Sequence, residues 1–169
     1  MKIKYFGIGT ALFLLSILSY SVSSASANST FNSDKIMQLA NHDRQYLGLA
    51  ALKVNPALTL AADLKLDDMI ANNYFDHVSP QGTSPWHFVQ KAGYAYTAAG
   101  ENLAMNFSDP EKVEAAWMNS PEHRENILNP KFSEIGVAQK EVVYKGQRTN
   151  FIVEYFGDPE TLAVQPSAN

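Results

Sequence analysis

The 169-residue sequence contains no cysteine. That absence excludes disulfides, thiolate metal sites and lipid attachment through an N-terminal cysteine, so stability has to come from packing alone. The sequence also has no cluster of Lys or Arg: 13 basic residues are scattered among 17 acidic ones. A modestly acidic chain of this kind is a poor nucleic-acid binder and is weakly repelled by anionic membranes and wall polymers. No Gly-x-Ser-x-Gly elbow, His-Glu-x-x-His helix or phosphate-cradling glycine loop occurs, which argues against the commoner serine hydrolases and zinc proteases. Internal repeats and low-complexity segments are lacking as well.

What is present begins with Lys2 and Lys4, an apolar run from Ala11 to Leu18, and small residues ending in Ala25-Ser26-Ala27. Residues 1–27 read as a secretory signal peptide cleaved after Ala27. The apolar run is nearly long enough to span a bilayer, but the Ala-x-Ala ending and serine-rich flank favour removal over a retained anchor. Removal leaves 142 residues, enough for one domain and too few for two, and moves the formal net charge from −4 to −6. With no cysteine in an oxidising destination, the pattern fits bacterial export. The expectation is a secreted monomer without a stable membrane anchor.

Residues 28–33 form a polar lead-in, 34–158 the domain and 159–169 a flexible tail. Ser33 caps a helix that turns Ile36, Leu39, Ala40 and Leu47 inward and stops at Gly48. Asn55-Pro56 starts a second helix, with Leu58, Ala62, Leu66, Met69 and Ile70 on a broad apolar stripe. A short helix through Trp86, Phe88 and Val89 ends at Gly93, and Gly100–Asn106 reads as a strand. Asp109-Pro110 and Ser120-Pro121 each open a further helix. Trp86, Trp117 and Phe151 read as core. From Glu134 to Tyr144 and Arg148 to Phe156 the chain is rich in Ile, Val, Tyr and Phe, and Lys145-Gly146-Gln147 joins the two runs as a β-hairpin. Both alternating sets of these strands are apolar, so the sheet needs cover on both faces. The fold class is therefore α+β: a three-layer α/β/α sandwich around a small, largely antiparallel sheet.

Three residues carry the candidate chemistry. His77 lies in Phe75-Asp76-His77-Val78-Ser79-Pro80, outside regular structure; Glu101 follows Gly100 at a strand edge facing a cleft; His123 sits near the start of the helix opened by Ser120-Pro121. That helix terminus disfavours an imidazolium and keeps His123 neutral. If the three converge, two imidazoles and a carboxylate make a first-row metal site with an open position, or a Glu-oriented histidine for proton transfer. His42 and His87 lack such partners and read as ordinary helix-face residues, while Ser120 is explained as a cap.

The ordered motifs Asn55-Pro56-Ala57-Leu58, Phe75–Pro80, Gly100-Glu101-Asn102-Leu103-Ala104, Ala116–Leu128 and Glu134-Ile135-Gly136-Val137 together strongly resemble the bacterial branch of the CAP superfamily. Its name comes from cysteine-rich secretory proteins, antigen 5 and pathogenesis-related proteins, and it is also called the SCP domain. The resemblance runs from about Ser33 to Asp158. It implies an α/β/α sandwich whose cleft usually carries two His and two Glu, able in some members to hold a divalent cation. By motif, His77 is similar to the first histidine, Glu101 to the first glutamate and His123 to the second histidine. The second glutamate follows a Trp by three positions in the eukaryotic pattern; here that position is Ser120, with Glu122 and Glu125 on the next turn. The expected function is a divalent-metal-dependent extracellular binding module, zinc being the metal its ligand types favour, with a cell-wall or peptide ligand. The alternatives are an extracellular hydrolase of peptide or cell-wall amide bonds, with His77, Glu101 and His123 catalytic, and a lipid or sterol carrier.

Overall fold

A computed structural model describes residues 32–160. The expected signal peptide, most of the expected polar lead-in and nearly all of the expected tail lie outside the described residues. Helix α1 (Ser33–Tyr46) is followed by the short strand β1 (Lys53–Val54), α2 (Pro56–Ala71) and α3 (Pro85–Lys91). Strand β2 (Tyr96–Met105) leads into α4 (Pro110–Asn119) and α5 (Pro121–Ile127), and a hairpin of β3 (Glu134–Tyr144) and β4 (Gln147–Pro159) completes the fold.

Local chemistry sets most of these boundaries. Asn55 accepts from Ala57 N at 2.8 Å and Asp109 from Glu111 N at 2.9 Å, each just before a proline whose missing N–H is no loss in a first turn. Lys145 and Gly146 have φ of 50° and 79°, the left-handed pair of a two-residue hairpin turn, so Gln147 belongs to the strand. At the start of α1, Asn32 rather than Ser33 is the cap, accepting from Asp34 N at 2.9 Å. Strand β2 begins at Tyr96, earlier than Gly100.

The sheet order is β1-β3-β4-β2. Strands β3, β4 and β2 are antiparallel neighbours, whereas β1, which propensity alone does not reveal, pairs in parallel with β3 through Lys53 and Val54. The sheet is thus mixed. One face carries Ala104, Ile135, Val137, Ile152 and Phe156 against α1, α4 and α5; the other carries Leu103, Ala138, Phe151, Val153 and Tyr155 against α2 and α3. Two apolar faces bring a helical layer to each side, as expected. Helix α2 lies so close to β3 that a Cβ at Gly136 would stand 2.2 Å from Thr59 N.

Several inward assignments shift. Leu47, at the C-cap of α1, and Ile70, near the end of α2, are exposed, while the charged Arg44 and Lys65 occupy core-facing positions. Trp117 and Phe151 are core; Trp86 is only half-buried. His42 and His87 are exposed.

Candidate functional site

The first histidine is placed by a buried amine. Lys65, on the core stripe of α2, is fully buried, and its Nζ donates to the carbonyls of Asp76 at 2.8 Å and His77 at 2.7 Å, and to the Tyr74 hydroxyl at 3.2 Å. Tyr74 in turn donates to Asp68 at 2.6 Å. Burial lowers the proton affinity of Lys65, and the charges of Glu101, Asp68 and Asp76 oppose that. An ammonium with three donors and three acceptors thus ties an irregular loop to a rigid helix. Sequence reasoning passed over Lys65; the signal available was a lone charge at helical spacing between Ala62 and Met69.

Loop and sheet meet at His77 and Glu101. His77 Nδ1 donates to Glu101 Oε1 at 2.6 Å; half of the His77 side chain is exposed, while that of Glu101 is 2% exposed. Glu101 is on the edge strand and its residue lines a cleft, but its carboxylate is buried beneath the imidazole rather than facing the cleft. Its second oxygen has no hydrogen-bond partner among the described residues. The hydrogen bond to Glu101 raises the His77 pKa, against burial and the Lys65 charge. For a raised histidine, the stabilisation from the pair is present on the acid side and is lost as pH climbs through the folded pKa. Glu101→Gln should lower the His77 pKa toward or below its ordinary value, measured by the imidazole NMR shifts; an unchanged titration would show that the carboxylate does not set it.

His123 approaches from the other layer. Ser120 occupies the N-cap position of α5 but makes no side-chain cap bond; its hydroxyl is bonded to His123 Nδ1 at 2.7 Å, because positions three apart on a helix are neighbours. Burial is the main reason His123 is held below its usual pKa, with the His77 charge next and Glu122 opposing. Asn102 and Asn126 link this helix to the strand: Asn102 Nδ2 donates to His123 O at 3.2 Å, and Asn126 Nδ2 donates to Asn102 Oδ1 at 2.9 Å and Glu101 O at 3.2 Å. Gly100 is needed here, since a Cβ would stand 2.7 Å from Asn126 Oδ1. His77, Val78, Ser84–Trp86, Ala99–Glu101 and Asn126 enclose a cleft of about 410 Å³; His123 is not part of this lining.

A resident zinc takes three or four protein ligands. Each imidazole has Nδ1 engaged and Nε2 left for a ligand, the usual state of a metal-binding histidine. The third donor is missing: Glu101 supports His77 from behind, Glu122 and Glu125 are exposed, and Ser120 stands where the resemblance places the second glutamate. Among the described residues no three His, Asp or Glu side chains form a metal-binding group. The arrangement does not fit a resident zinc. Protein purified without chelator should carry far less than stoichiometric zinc by elemental analysis, unchanged by His77→Ala; a full equivalent lost in both His77→Ala and His123→Ala would contradict this.

Two further carboxyl groups are buried between α4 and the sheet. Glu154, fully buried on β4, accepts from Asn102 Nδ2 at 3.0 Å, and Glu114 on α4 is 3% exposed. Both Glu114 oxygens and the remaining Glu154 oxygen lack partners among the described residues. Burial first, and the Asp43 charge second, push Glu114 up to about 8. Burial and the neighbouring Glu114 raise Glu154, with the Asn102 hydrogen bond opposing.

Comparison with known proteins bears on the fold and the family. The profile of the cysteine-rich secretory protein family, CAP, matches residues 37–156. YkwD of Bacillus subtilis (strain 168), an uncharacterized protein, is 46% identical over 107 residues, which cover 63% of this chain and 42% of YkwD. An extracellular SCP-domain protein from Bacillus anthracis has a TM-score of 0.64 and 31% identity, over 74% of this chain and 39% of its own. An outer surface protein of Borrelia burgdorferi shares the fold at a TM-score of 0.66 and 23% identity, over 75% of this chain and 92% of its own. The chain belongs to the CAP family, in its bacterial branch. It spans less than half the length of the two Bacillus relatives. Among the described residues no helix is long and apolar enough to cross a membrane.

Proposed function

We propose that the chain is an extracellular binding module that captures its ligand in the cleft over His77 and Glu101. The observation that carries this reading is a half-exposed imidazole held by a buried carboxylate at 2.6 Å on the wall of a cleft of about 410 Å³. Such a histidine is oriented before the ligand arrives and offers Nε2 as a fixed polar contact, which lowers the ordering cost of binding. Among the described residues neither a hydroxyl nor another basic group is bonded to the His77 ring, so no side-chain nucleophile is held against the pair. The raised pKa also makes His77 a donor rather than a base on the acid side. An extracellular setting is supported by the leader-like N-terminus and by the B. anthracis relative, itself described as extracellular.

The test uses soluble peptidoglycan fragments and NMR of the labelled protein. His77 and Glu101 resonances should move in the wild type, binding should weaken about tenfold in His77→Ala, as loss of one oriented polar contact predicts, and the fragments should be recovered intact by mass spectrometry. Cleavage products that disappear with Glu101→Gln would replace this reading with the hydrolase.

A further inference from the structure

The sheet order leaves β2 at an edge, and the cleft wraps around that edge. Its walls come from both layers: His77, Val78 and Trp86 stand on the α2–α3 side, Asn126 comes from α5 on the other, and Ala99–Glu101 form the floor. The direction of the floor's backbone groups follows from its hydrogen bonds. Glu101 O accepts from Asn126 Nδ2 at 3.2 Å and Leu103 O from Trp117 Nε1 at 3.1 Å. Carbonyls that accept from side chains beyond the edge point away from β4, so odd-numbered residues in this stretch turn their N–H and C=O outward. Pairing with β4 runs without a shift from Ala98 to Met105, which gives Ala99 the same orientation.

The edge is therefore closed in one part and open in another. Trp117 and Asn126 cap the carbonyls of Leu103 and Glu101, while among the described residues both the outward N–H and the C=O of Ala99 have no partner. An unpaired strand edge is normally covered or blunted, because it is a template for another strand. Here it is the floor of a cleft. Resting on the binding-module reading above, we propose that the cleft takes an extended peptide, which adds beside β2 with one of its residues exchanging both backbone bonds with Ala99.

Such a peptide would send alternate side chains toward His77 and Trp86 on one side and Asn126 on the other. The walls fit this class of ligand. Glu101 is matched by His77 and no Lys or Arg lines the cleft, so recognition falls on main-chain groups rather than on a charged one. A neutral glycan could use the Trp86 ring, but it has no regular main-chain repeat to match the open edge.

The experiment follows the amide resonances of the labelled full chain while three probes are added: a pool of end-blocked random pentapeptides, the same pool N-methylated at its central residue, and a tetramer of N-acetylglucosamine. The first pool should shift the Ala99 and Glu101 amides, and N-methylation should weaken binding about tenfold, the effect of losing roughly one backbone hydrogen bond. Ala99→Pro removes the outward N–H without removing a bond to β4, and it should weaken the first pool similarly while the His77 imidazole shifts stay in place. Ala99 and Glu101 amides that ignore the first pool, or that respond equally to both pools, overturn the peptide inference, whatever the folding of the proline variant. If the sugar tetramer alone shifts the cleft, peptide addition is wrong and the binding-module reading stands. If neither these probes nor wall fragments move His77, that reading falls too.

Discussion

Glu154→Gln should leave stability nearly unchanged at pH 4.5 and increase it at pH 8. The wild type places two carboxyl groups, Glu114 and Glu154, in the core between α4 and the sheet, with three of their four oxygens unpartnered among the described residues. Water-exposed carboxyls in the unfolded chain release their protons near pH 4.5, whereas Glu114 holds its proton up to about 8 in the fold and Glu154 is raised as well. Between those limits the native state binds more protons than the unfolded one. Stability therefore falls as pH rises from about 4.5 to about 8.

Gln has the shape of a protonated Glu and no charge to desolvate. Its oxygen can keep the hydrogen bond from Asn102, and its amide can donate toward the free oxygens of Glu114. Urea unfolding of wild type and variant at both pH values checks this. Parallel pH dependences in the two proteins would show that the buried pair is not the source of the slope.

Arg44→Ala should destabilise the protein by about 3–5 kcal/mol, near the upper end for a single substitution. Arg44 is 1% exposed, and its guanidinium donates to four carbonyls: Ala50 at 2.9 Å, Ile127 at 2.8 Å, Asn129 at 2.9 Å and Phe132 at 3.1 Å. These belong to the loop after α1, to the last residue of α5 and to the segment joining α5 to β3, so one side chain joins stretches more than eighty residues apart. Burial lowers its proton affinity, yet a guanidinium stays charged throughout the working range. Truncation would remove the donors, strand carbonyls in a dry interior and open a cavity. The measurement is the denaturant midpoint at constant m-value. A loss below about 1 kcal/mol would mean that water replaces the guanidinium at those carbonyls.

Helix starts and the hairpin could be read directly because their causes are local. Asn55-Pro56, Asp109-Pro110 and the Lys145-Gly146 turn act within a few residues, and the dual apolar pattern of β3 and β4 demands two covering layers whatever the connectivity. The reading failed where a distant partner decides. Strand β1 exists because Lys53 N finds Ser133 O and Asn55 N finds Ile135 O, each at 2.9 Å, contacts that no local propensity reports. Arg44 and Lys65 sit at core spacing on their helices, yet their charge marks them as surface residues until the carbonyls they serve are known.

The candidate site divides in the same way. His77, Glu101 and His123 could be singled out from motif and residue type, because imidazole and carboxylate chemistry belongs to the side chain itself. Their roles could not, since a role depends on which atom meets which. Folding sets Glu101 behind His77 rather than beside it, gives Ser120 to His123 rather than to the helix backbone, and leaves Ala99 at an open sheet edge. The elements, the two-sided core and the chemical vocabulary of the cleft are governed by neighbours along the chain, and so they are written in the order of its residues. Hydrogen-bond partners, buried charges and the free strand edge arise only on folding, because each depends on groups brought together from distant parts of the chain.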